Sequence, residues 1–498
     1  MIRAIALIIV GATLLVQLTL GTDPLVVILC GLALVIGFFP ALVFRLDLYG
    51  MLAAFFAIRY VGAALMTKTW LMQPLDQYLN APVAAYVLSC LLMFVIAGIV
   101  LLVRALDRGT TYFPLPENAE ALRLLGLVAF AIGAAAYVAS GLVISREADV
   151  AATGAYVLFV MIGSLHLLGL ITEILYCALK KRGPFSLRLI LMLAVMFAIA
   201  MFLNARSVLF DGVIAVAVSG LLYRVIRARH LVAIVLAAVV ASQLVNPITM
   251  ELRRVKEGKS ASEFALAASD VVTRALSEPD FVGNLLVRQA QESQVDNPLN
   301  LYDYYGDPTN VMNRFSFVAL IDAVYFRAER QTPLGLSALA EVYSRVVPGF
   351  LVAKEPKAYG YGDWLSWELG IFQPPLKTFT NFGLPMEGYA VAGVWGFIMF
   401  TSLVLLPVLF VLSHISSLRV PYPSSLLLFA AVQWPIIEGT SDVFFVVLTR
   451  QLPILLVSLK LTEILVFRFL LSHRPSLPKP ASVSYRALAS RASRTFGR

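Results

Sequence analysis

Long runs of apolar residues, separated by short polar links, make up most of the chain. A helix of about twenty apolar residues is long enough to cross the hydrocarbon core of a bilayer. Runs of that length recur along the sequence, and the pattern therefore predicts about twelve transmembrane helices. The predicted spans are residues 4–20, 24–44, 49–66, 82–103, 121–144, 153–179, 187–203, 207–224, 230–246, 389–413, 424–441 and 449–471.

The links between these spans alternate in charge, and the alternation predicts an orientation. Lys and Arg accumulate in the cytoplasmic links of membrane proteins. If Arg3 is cytoplasmic, every basic link falls on the same side, and the links on the other side, such as 68–80, carry no basic cluster. The basic links contain Arg45, Arg104, Arg108, Lys180, Lys181, Arg182, Arg224, Arg227, Arg229 and Arg419. We therefore predict that both termini are cytoplasmic.

One long polar stretch, residues 247–388, interrupts the hydrophobic pattern and is predicted to lie outside the cytoplasm. Its mixed composition is typical of a folded segment, and amphipathic patterns predict helices near 250–277, 310–330 and 335–347. We expect an all-α fold, a polytopic membrane helix bundle with a large, mostly helical outer loop. The expected divisions are 1–246 (helices one to nine), 247–388 (loop), 389–471 (three helices) and 472–498 (basic cytoplasmic tail).

Composition excludes several other classes. The chain is 60% hydrophobic and only 14% charged, far from a soluble globular protein. Its net charge of +9 comes largely from basic links and the basic tail, so we predict no nucleic-acid partner. A signal peptide is the alternative for residues 1–20, but no A-x-A-like cleavage site follows, and we interpret this run as an uncleaved helix.

The outer loop is rich in cations and aromatic residues. Guanidinium groups bind phosphates through two hydrogen bonds, and aromatic rings cover sugar faces, so such a loop suits anionic, sugar-bearing lipids. The alternatives are that the cations are solvated and that the rings lie at the membrane interface. The candidate cations are Arg314, Arg327, Arg330, Arg345, Lys354 and Lys357, and the candidate aromatic residues are Tyr302, Tyr304, Tyr305, Tyr359, Tyr361, Trp364 and Trp367.

Acidic residues matter because a sugar hydroxyl that attacks a glycosyl donor must lose its proton. The loop contains no histidine, so the candidate bases are carboxylates: Glu387, Asp363, Glu368, Asp322 and Glu341. Charged residues inside spans are functional candidates by default, and they are Arg59, Glu173, Asp211, Glu438, Arg450, Lys460 and Glu463. A set predicted near the outer surface, beneath the loop, could line a cavity: Arg206, Asp211, Glu438, Asp442 and Arg450. Arg206, in an outer link, either holds a lipid diphosphate or neutralises Asp211; the residues leave both open.

Several short motifs in the last third of the chain resemble the bacterial O-antigen and exopolysaccharide polymerases. They are Asn313-Arg-Phe-Ser316, Arg345-Val-Val-Pro348, Lys354-Glu-Pro-Lys357 and Thr380-Asn-Phe-Gly-Leu-Pro-Met-Glu-Gly-Tyr389, followed by Gly393-Val-Trp-Gly396. Arg206 likewise resembles the family's arginine in a short outer link. Where these polymerases often show Pro-Arg, this chain has Pro348-Gly349, which leaves Arg345 or Lys354 for that role.

The resemblance implies a C-type glycosyltransferase of the bacterial inner membrane that is inverting and independent of metals and other cofactors. Its substrates would be a donor and an acceptor oligosaccharide carried on undecaprenyl diphosphate. It further implies contacts with membrane lipids, a chain-length regulator and a flippase. Arg314, Arg206 and Glu387 would be catalytic, with Glu387 orienting the acceptor hydroxyl. The substrate-binding residues would be Arg345, Lys354, Lys357, Tyr361, Trp364 and Tyr389. An O-antigen ligase, which is expected to carry an outer-loop histidine, and a polysaccharide or lipid transporter are the alternative functions.

Overall fold

The computed structural model describes residues 2–44, 46–115, 118–144, 154–203, 206–227, 230, 233–234, 247–249, 251–252, 254–255, 261–278, 280–293, 304–305, 316–347, 359–371, 374 and 381–471. The named elements among these residues are all helices, and an isolated β-bridge joins Thr111 and Ser416. The predicted all-α class is therefore confirmed.

The described helices are numbered here in chain order. They are α1 (Ile2–Thr19), α2 (Pro24–Val43), α3 (Leu48–Trp70), α4 (Pro82–Leu106), α5 (Ala119–Ile144), α6 (Gly154–Gly163), α7 (His166–Leu179), α8 (Leu187–Leu203), α9 (Arg206–Leu222), α10 (Ala261–Ser277), α11 (Phe281–Ser293), α12 (Val318–Ala328), α13 (Leu336–Val346), α14 (Tyr361–Glu368), α15 (Gly383–Ile415), α16 (Pro423–Glu438), α17 (Ser441–Val446) and α18 (Leu452–Ile464), with a π-helical turn, Val447–Gln451, between the last two.

The described part of the chain contains 7 helices long and apolar enough to cross a membrane, so the chain is an all-α membrane protein. They are Pro24–Val43, Leu48–Trp70, Pro82–Leu106, Ala119–Gly141, Leu158–Leu179, Gly383–Ile415 and Ser441–Arg468. The runs Ile8–Thr19, Leu187–Met201 and Val208–Leu222 are apolar but shorter. The predicted span 230–246 lies almost entirely outside the described residues, and about twelve spans stays a prediction.

The chain divides into two compact units. Unit 1 contains Met1–Asp107, Arg288–Val411 and Gln433–Val447, and unit 2 contains Arg108–Val287, Leu412–Val432 and Leu448–Arg498. In unit 1, α2 packs against α3 and α4, and α12 packs on α4. In unit 2, α5 packs against α6, α7 and α8, and α9 against α7 and α8.

In unit 2, close packing of α5 and α7 depends on small residues. A methyl group on Gly126 would collide with the Thr172 side chain, and one on Gly169 would lie 2.6 Å from the Phe130 Cβ. The helices therefore approach closely, as small residues allow in membrane bundles. A half-buried ion pair adds to this contact, because Arg123 donates to both carboxylate oxygens of Glu173 at 2.9 and 2.8 Å.

In unit 1, the end of α3 and the link between α3 and α4 hold part of the predicted loop. The Lys68 ammonium lies 4.3 Å from the centroid of the Tyr304 ring and is itself buried. The Tyr304 hydroxyl donates to the Leu75 carbonyl at 2.8 Å, and the Gln73 amide donates to the Tyr305 carbonyl at 3.3 Å. Both tyrosines are buried, so in this structure they anchor the loop rather than offer open faces to a sugar.

A second anchor of the same link is Asp322 on α12, a candidate base by sequence. Its carboxylate accepts from the backbone N–H groups of Asn80 (2.8 Å) and Ala81 (2.6 Å) and from the Asn80 amide (2.9 Å). These residues precede Pro82, where α4 begins, and the side chain of Ala81 offers no cap. Asp322 therefore supplies the N-terminal cap that α4 lacks locally.

Helix α15 is two helical arms joined by a sharp bend at Ala392 and Gly393, whose φ is +60°. The predicted helix at 389–413 thus begins earlier, at Gly383, and is broken near its predicted start. The bend releases the carbonyls of Ala390 and Val391, which accept the N–H groups of Leu334 (3.0 Å) and Gly335 (3.1 Å). The first arm, residues 383–391, is thereby held to the segment that precedes α13.

Candidate functional site

Three separate stretches of unit 1 meet at the carboxylate of Glu387. The first arm of α15 carries Glu387 itself, α17 begins at Ser441 beside it, and α14 begins at Tyr361. Glu387 and Ser441 are 0% and 2% exposed, and Tyr361 is 2% exposed. We call these three residues and Asp442 the carboxylate centre.

Both oxygens of Glu387 are bound by Ser441. The Ser441 N–H donates to Oε2 at 2.7 Å, and the Ser441 hydroxyl donates to Oε1 at 2.5 Å. The first N–H groups of a helix have no partner within the helix. The N-cap residue of α17, Thr440, makes no capping hydrogen bond, because its hydroxyl donates to Asp442 Oδ1 at 2.6 Å. The carboxylate of a different helix therefore caps α17.

Tyr361 is placed by the start of α14. The Asp363 carboxylate accepts the Gly360 N–H at 2.9 Å, which fixes the first turn and directs Tyr361 into the interior. Burial, together with the neighbouring Glu387, raises the pKa of the Tyr361 phenol well above its ordinary value. The phenol stays protonated at neutral pH and is available as a donor. Trp364 stacks on its ring, with centroids 5.6 Å apart.

Arg345 on α13 is a further charged group near Asp442. Its guanidinium donates to Glu341 Oε1 at 2.9 Å (Nε) and 2.6 Å (Nη2), and Nη1 donates to the Tyr359 carbonyl at 2.7 Å. It also acts electrostatically on Asp442. Since α13 packs against α17, this cation belongs to the surroundings of the carboxylate centre.

Tyr389, the aromatic residue predicted beside Glu387, points elsewhere. Its hydroxyl donates to Glu329 Oε1 at 2.7 Å, and its ring meets Phe397 edge-on at 6.2 Å. The residue is 3% exposed. In this structure it ties the first arm of α15 to the end of α12 and offers no open ring face.

Among the described residues of unit 1, two of the predicted site residues, Glu387 and Tyr361, belong to the carboxylate centre, and Trp364 and Arg345 lie next to it. Arg206 is the first residue of α9, in unit 2. The remaining predicted residues lie outside the described residues: Arg314, Lys354, Lys357 and Tyr302.

Ser441 was absent from the predicted site, and Asp442 was only one of several charged residues predicted near the outer surface. The sequence does carry a signal for a polar site at the start of α17. Glu438 and Asp442 are two acids four residues apart in an otherwise apolar run, and Gly439-Thr440 between them breaks the helix. Paired acids at a break inside a membrane segment mark a polar site.

The centre has the parts needed to hold and deprotonate a hydroxyl group. The Ser441 N–H fixes Oε2, so the carboxylate keeps its position if the Ser441 hydroxyl rotates away from Oε1. A substrate hydroxyl would then take the place of the serine hydroxyl within hydrogen-bond reach of Oε1. Among the described residues, no cluster of three or more histidine, cysteine or acidic side chains is arranged to hold a metal ion.

The chain was compared with family models, curated proteins and solved structures, and no match was found in any of the three.

Proposed function

We propose that this chain is a polysaccharide polymerase that joins oligosaccharide repeat units carried on undecaprenyl diphosphate at the outer face of the bacterial inner membrane. The observation that carries the proposal is the position of Glu387. A carboxylate predicted as the acceptor-orienting group lies buried where three segments meet, with one oxygen fixed by a backbone N–H. A buried, positioned carboxylate is what general-base catalysis of glycosyl transfer requires.

In the proposed reaction, the acceptor hydroxyl oxygen attacks the anomeric carbon of the donor sugar from the face opposite the leaving group. The bond between that carbon and the diphosphate oxygen breaks, and undecaprenyl diphosphate leaves with the electron pair. The proton of the hydroxyl passes to Glu387, and the anomeric configuration inverts. The protonated phenol of Tyr361 lies close to Glu387, and as a hydrogen-bond donor it would hold the carboxylate in place during the transfer.

The leaving diphosphate gathers negative charge, and arginine side chains stabilise such charge in a site shielded from water. Arg314 and Arg206 are the proposed catalytic cations. Arg345, Lys354 and Lys357 are proposed to bind substrate, with Trp364 available to a sugar ring. No metal or other cofactor is needed for this transfer, and the partners are the two lipid-linked oligosaccharides.

The first experiment is deletion of the encoding gene, followed by size separation of lipid-linked and surface glycans. Single repeat units on lipid, without long chains, are expected. Complementation with Arg314→Ala or Arg206→Ala should fail to restore long chains, although the protein is present in the membrane. Normal polymer from both variants would remove these two residues from the mechanism.

A transporter of lipid-linked sugars is the second candidate, and the broken helices favour it. Within the described residues, apolar segments break at Ser164-Leu165, Ala392-Gly393 and Gly439-Thr440. Transporters often bind substrates at such breaks. The same deletion separates the candidates, because loss of a transporter traps repeat units on the inner face. An O-antigen ligase would instead leave long chains that are not transferred to their final lipid acceptor.

A further inference from the structure

A buried ion pair in unit 1, between Arg59 and Glu438, has no assigned role in the proposed reaction. Arg59 lies within α3, and its guanidinium contacts Glu438 Oε1 at the end of α16. The residues are 8% and 3% exposed. Charged residues within membrane segments are costly, and they commonly mark the path or the binding site of an ion or substrate.

The local geometry of α3 fixes the backbone position of Arg59. Arg59 belongs to the π-helical turn Ile58–Gly62, and its carbonyl accepts the Phe317 N–H at 3.1 Å. Single π-turns inside membrane helices are frequent at functional positions. The neighbouring Tyr60 donates its hydroxyl to the Ile437 carbonyl at 3.0 Å. The backbone on both sides of the ion pair is therefore fixed.

Two aromatic rings contact the guanidinium. Its central carbon is 4.9 Å from the centroid of Trp434 and 5.3 Å from that of Phe317. Rings against a guanidinium leave its in-plane N–H groups for an acceptor such as a carboxylate or a phosphate. Trp434 is 38% exposed whereas Phe317 is 5% exposed, so the guanidinium is covered by Trp434 on the side nearer the protein surface and by Phe317 on the interior side.

The ion pair is close to the carboxylate centre along the chain. Glu438 precedes Ser441 by three residues, which span at most about 11 Å when fully extended. Ser441 in turn binds Glu387. Tyr60, next to Arg59, also lies near the α-carbon of Gly383, at the start of the arm that carries Glu387. A negatively charged group bound by Arg59 would therefore lie in the same part of unit 1 as the proposed base.

We propose that Arg59 is a binding site for the phosphate or diphosphate group of a lipid substrate, and that Glu438 is the internal counter-ion which this group displaces. Resting on the proposed function, the site would hold the diphosphate of one lipid-linked oligosaccharide. A buried ion pair adds little net stability, because desolvation of both charges offsets their attraction. In this proposal, Glu438 neutralises Arg59 when no phosphate group is bound, and the phosphate group takes its place when substrate binds.

The test is binding of farnesyl diphosphate and inorganic pyrophosphate to the purified, detergent-solubilised full chain. Arg59→Gln should weaken binding at least about tenfold, a loss of one charge-assisted contact. Glu438→Gln should tighten binding several-fold, since it removes the competing carboxylate. If the ion pair were purely structural, Glu438→Gln would instead weaken binding, because an uncompensated buried arginine destabilises the site.

The matched control is the pair formed by Arg274 and Glu278 on the surface of unit 2. Arg274 also pairs with a glutamate, at 3.1 Å, and lies 4.5 Å from the centroid of a phenylalanine ring, but it is exposed. Arg274→Gln and Glu278→Gln should leave binding unchanged. Melting temperatures of all variants are recorded, and if Arg59→Gln does not fold, Glu438→Gln decides the question alone.

The two probes distinguish the source of the phosphate. Arg59-dependent binding of farnesyl diphosphate alone supports a lipid headgroup, and equal binding of pyrophosphate supports a site for the free anion. Unchanged affinity in Arg59→Gln, or weaker binding in Glu438→Gln, would overturn the inference. Because binding is measured without polymer synthesis, this outcome is independent of whether the chain proves to be a polymerase.

Discussion

Glu387 shows how one side chain is both structural and chemical. A buried carboxylate is tolerated only when hydrogen bonds replace its lost hydration. Ser441 supplies two, and the phenol of Tyr361 lies alongside. The same contacts cap α17. Substitutions that separate hydrogen-bond acceptance from basicity are therefore the most informative at the residue scale.

Replacing Glu387 by Gln keeps an oxygen that accepts the Ser441 N–H but removes the base. We expect the protein to fold and polymer formation to fall at least about 100-fold, the usual contribution of a general base. Glu387→Ala should lose the cap as well and lower the melting temperature, because the cap is worth about 1 kcal/mol. The checks are glycan length and thermal unfolding in detergent; full activity in Glu387→Gln would show that the residue is only a cap.

Tyr361→Phe removes the donor beside Glu387 without changing the ring that stacks on Trp364. A hydrogen bond to a charged group is worth about 1.5–3 kcal/mol, which corresponds to a roughly 10- to 100-fold slower transfer. The rate of chain growth in membrane vesicles measures this. Tyr343→Phe is the control, since Tyr343 is exposed on α13. Equal rates in both variants would exclude Tyr361 from positioning the base.

At the element scale, the bend of α15 decides where Glu387 lies. The two arms fold back on each other so closely that a methyl group on Gly396 would collide with the backbone of Gly388, and one on Gly388 would lie 2.8 Å from the Phe400 Cβ. The N–H groups of Leu334 and Gly335 bind carbonyls freed at the bend. The contact of small residues and these two hydrogen bonds together position the first arm.

Gly396→Ala should therefore destabilise unit 1 by about 1–3 kcal/mol, the typical cost of overpacking. Gly98→Ala is the control, because a methyl group at that helical position has no neighbour within 4 Å. We expect a lower melting temperature and shorter glycans for Gly396→Ala and wild-type behaviour for Gly98→Ala. Indistinguishable melting temperatures would mean that the two arms separate in the membrane.

At the scale of the whole molecule, orientation is the main prediction that charge distribution supports. The native thiols make it testable, since Cys30, Cys90 and Cys177 are all buried and should react slowly with maleimides. A cysteine at Gln331, exposed after α12, should be labelled by an impermeant maleimide in spheroplasts. A cysteine at Arg182, exposed in a basic link, should react only after permeabilisation. The reverse pattern would place the loop inside and end the proposal of outer-face polymerisation.

The sequence determined what depends on transfer from water to an apolar medium. Long apolar runs of this kind form helices in a bilayer, because a helix lets every backbone N–H and C=O group form a hydrogen bond within its own segment, where no water is present. Helix class, membrane character and most helix positions follow from that rule, and the resemblance directed attention to Glu387. Charge inside the apolar runs also marked Arg59, Glu438 and Asp442 as candidates.

Only the tertiary structure decided which of these groups meet. Ser441 is 54 residues from Glu387 in the sequence, and no local pattern pairs a serine with a distant acid. Asp322 and Tyr389, both plausible site residues by type, instead bind Asn80 and Glu329. The reason is that hydropathy and spacing describe one segment at a time, whereas a hydrogen bond between helices depends on how bends, small residues and caps orient both partners.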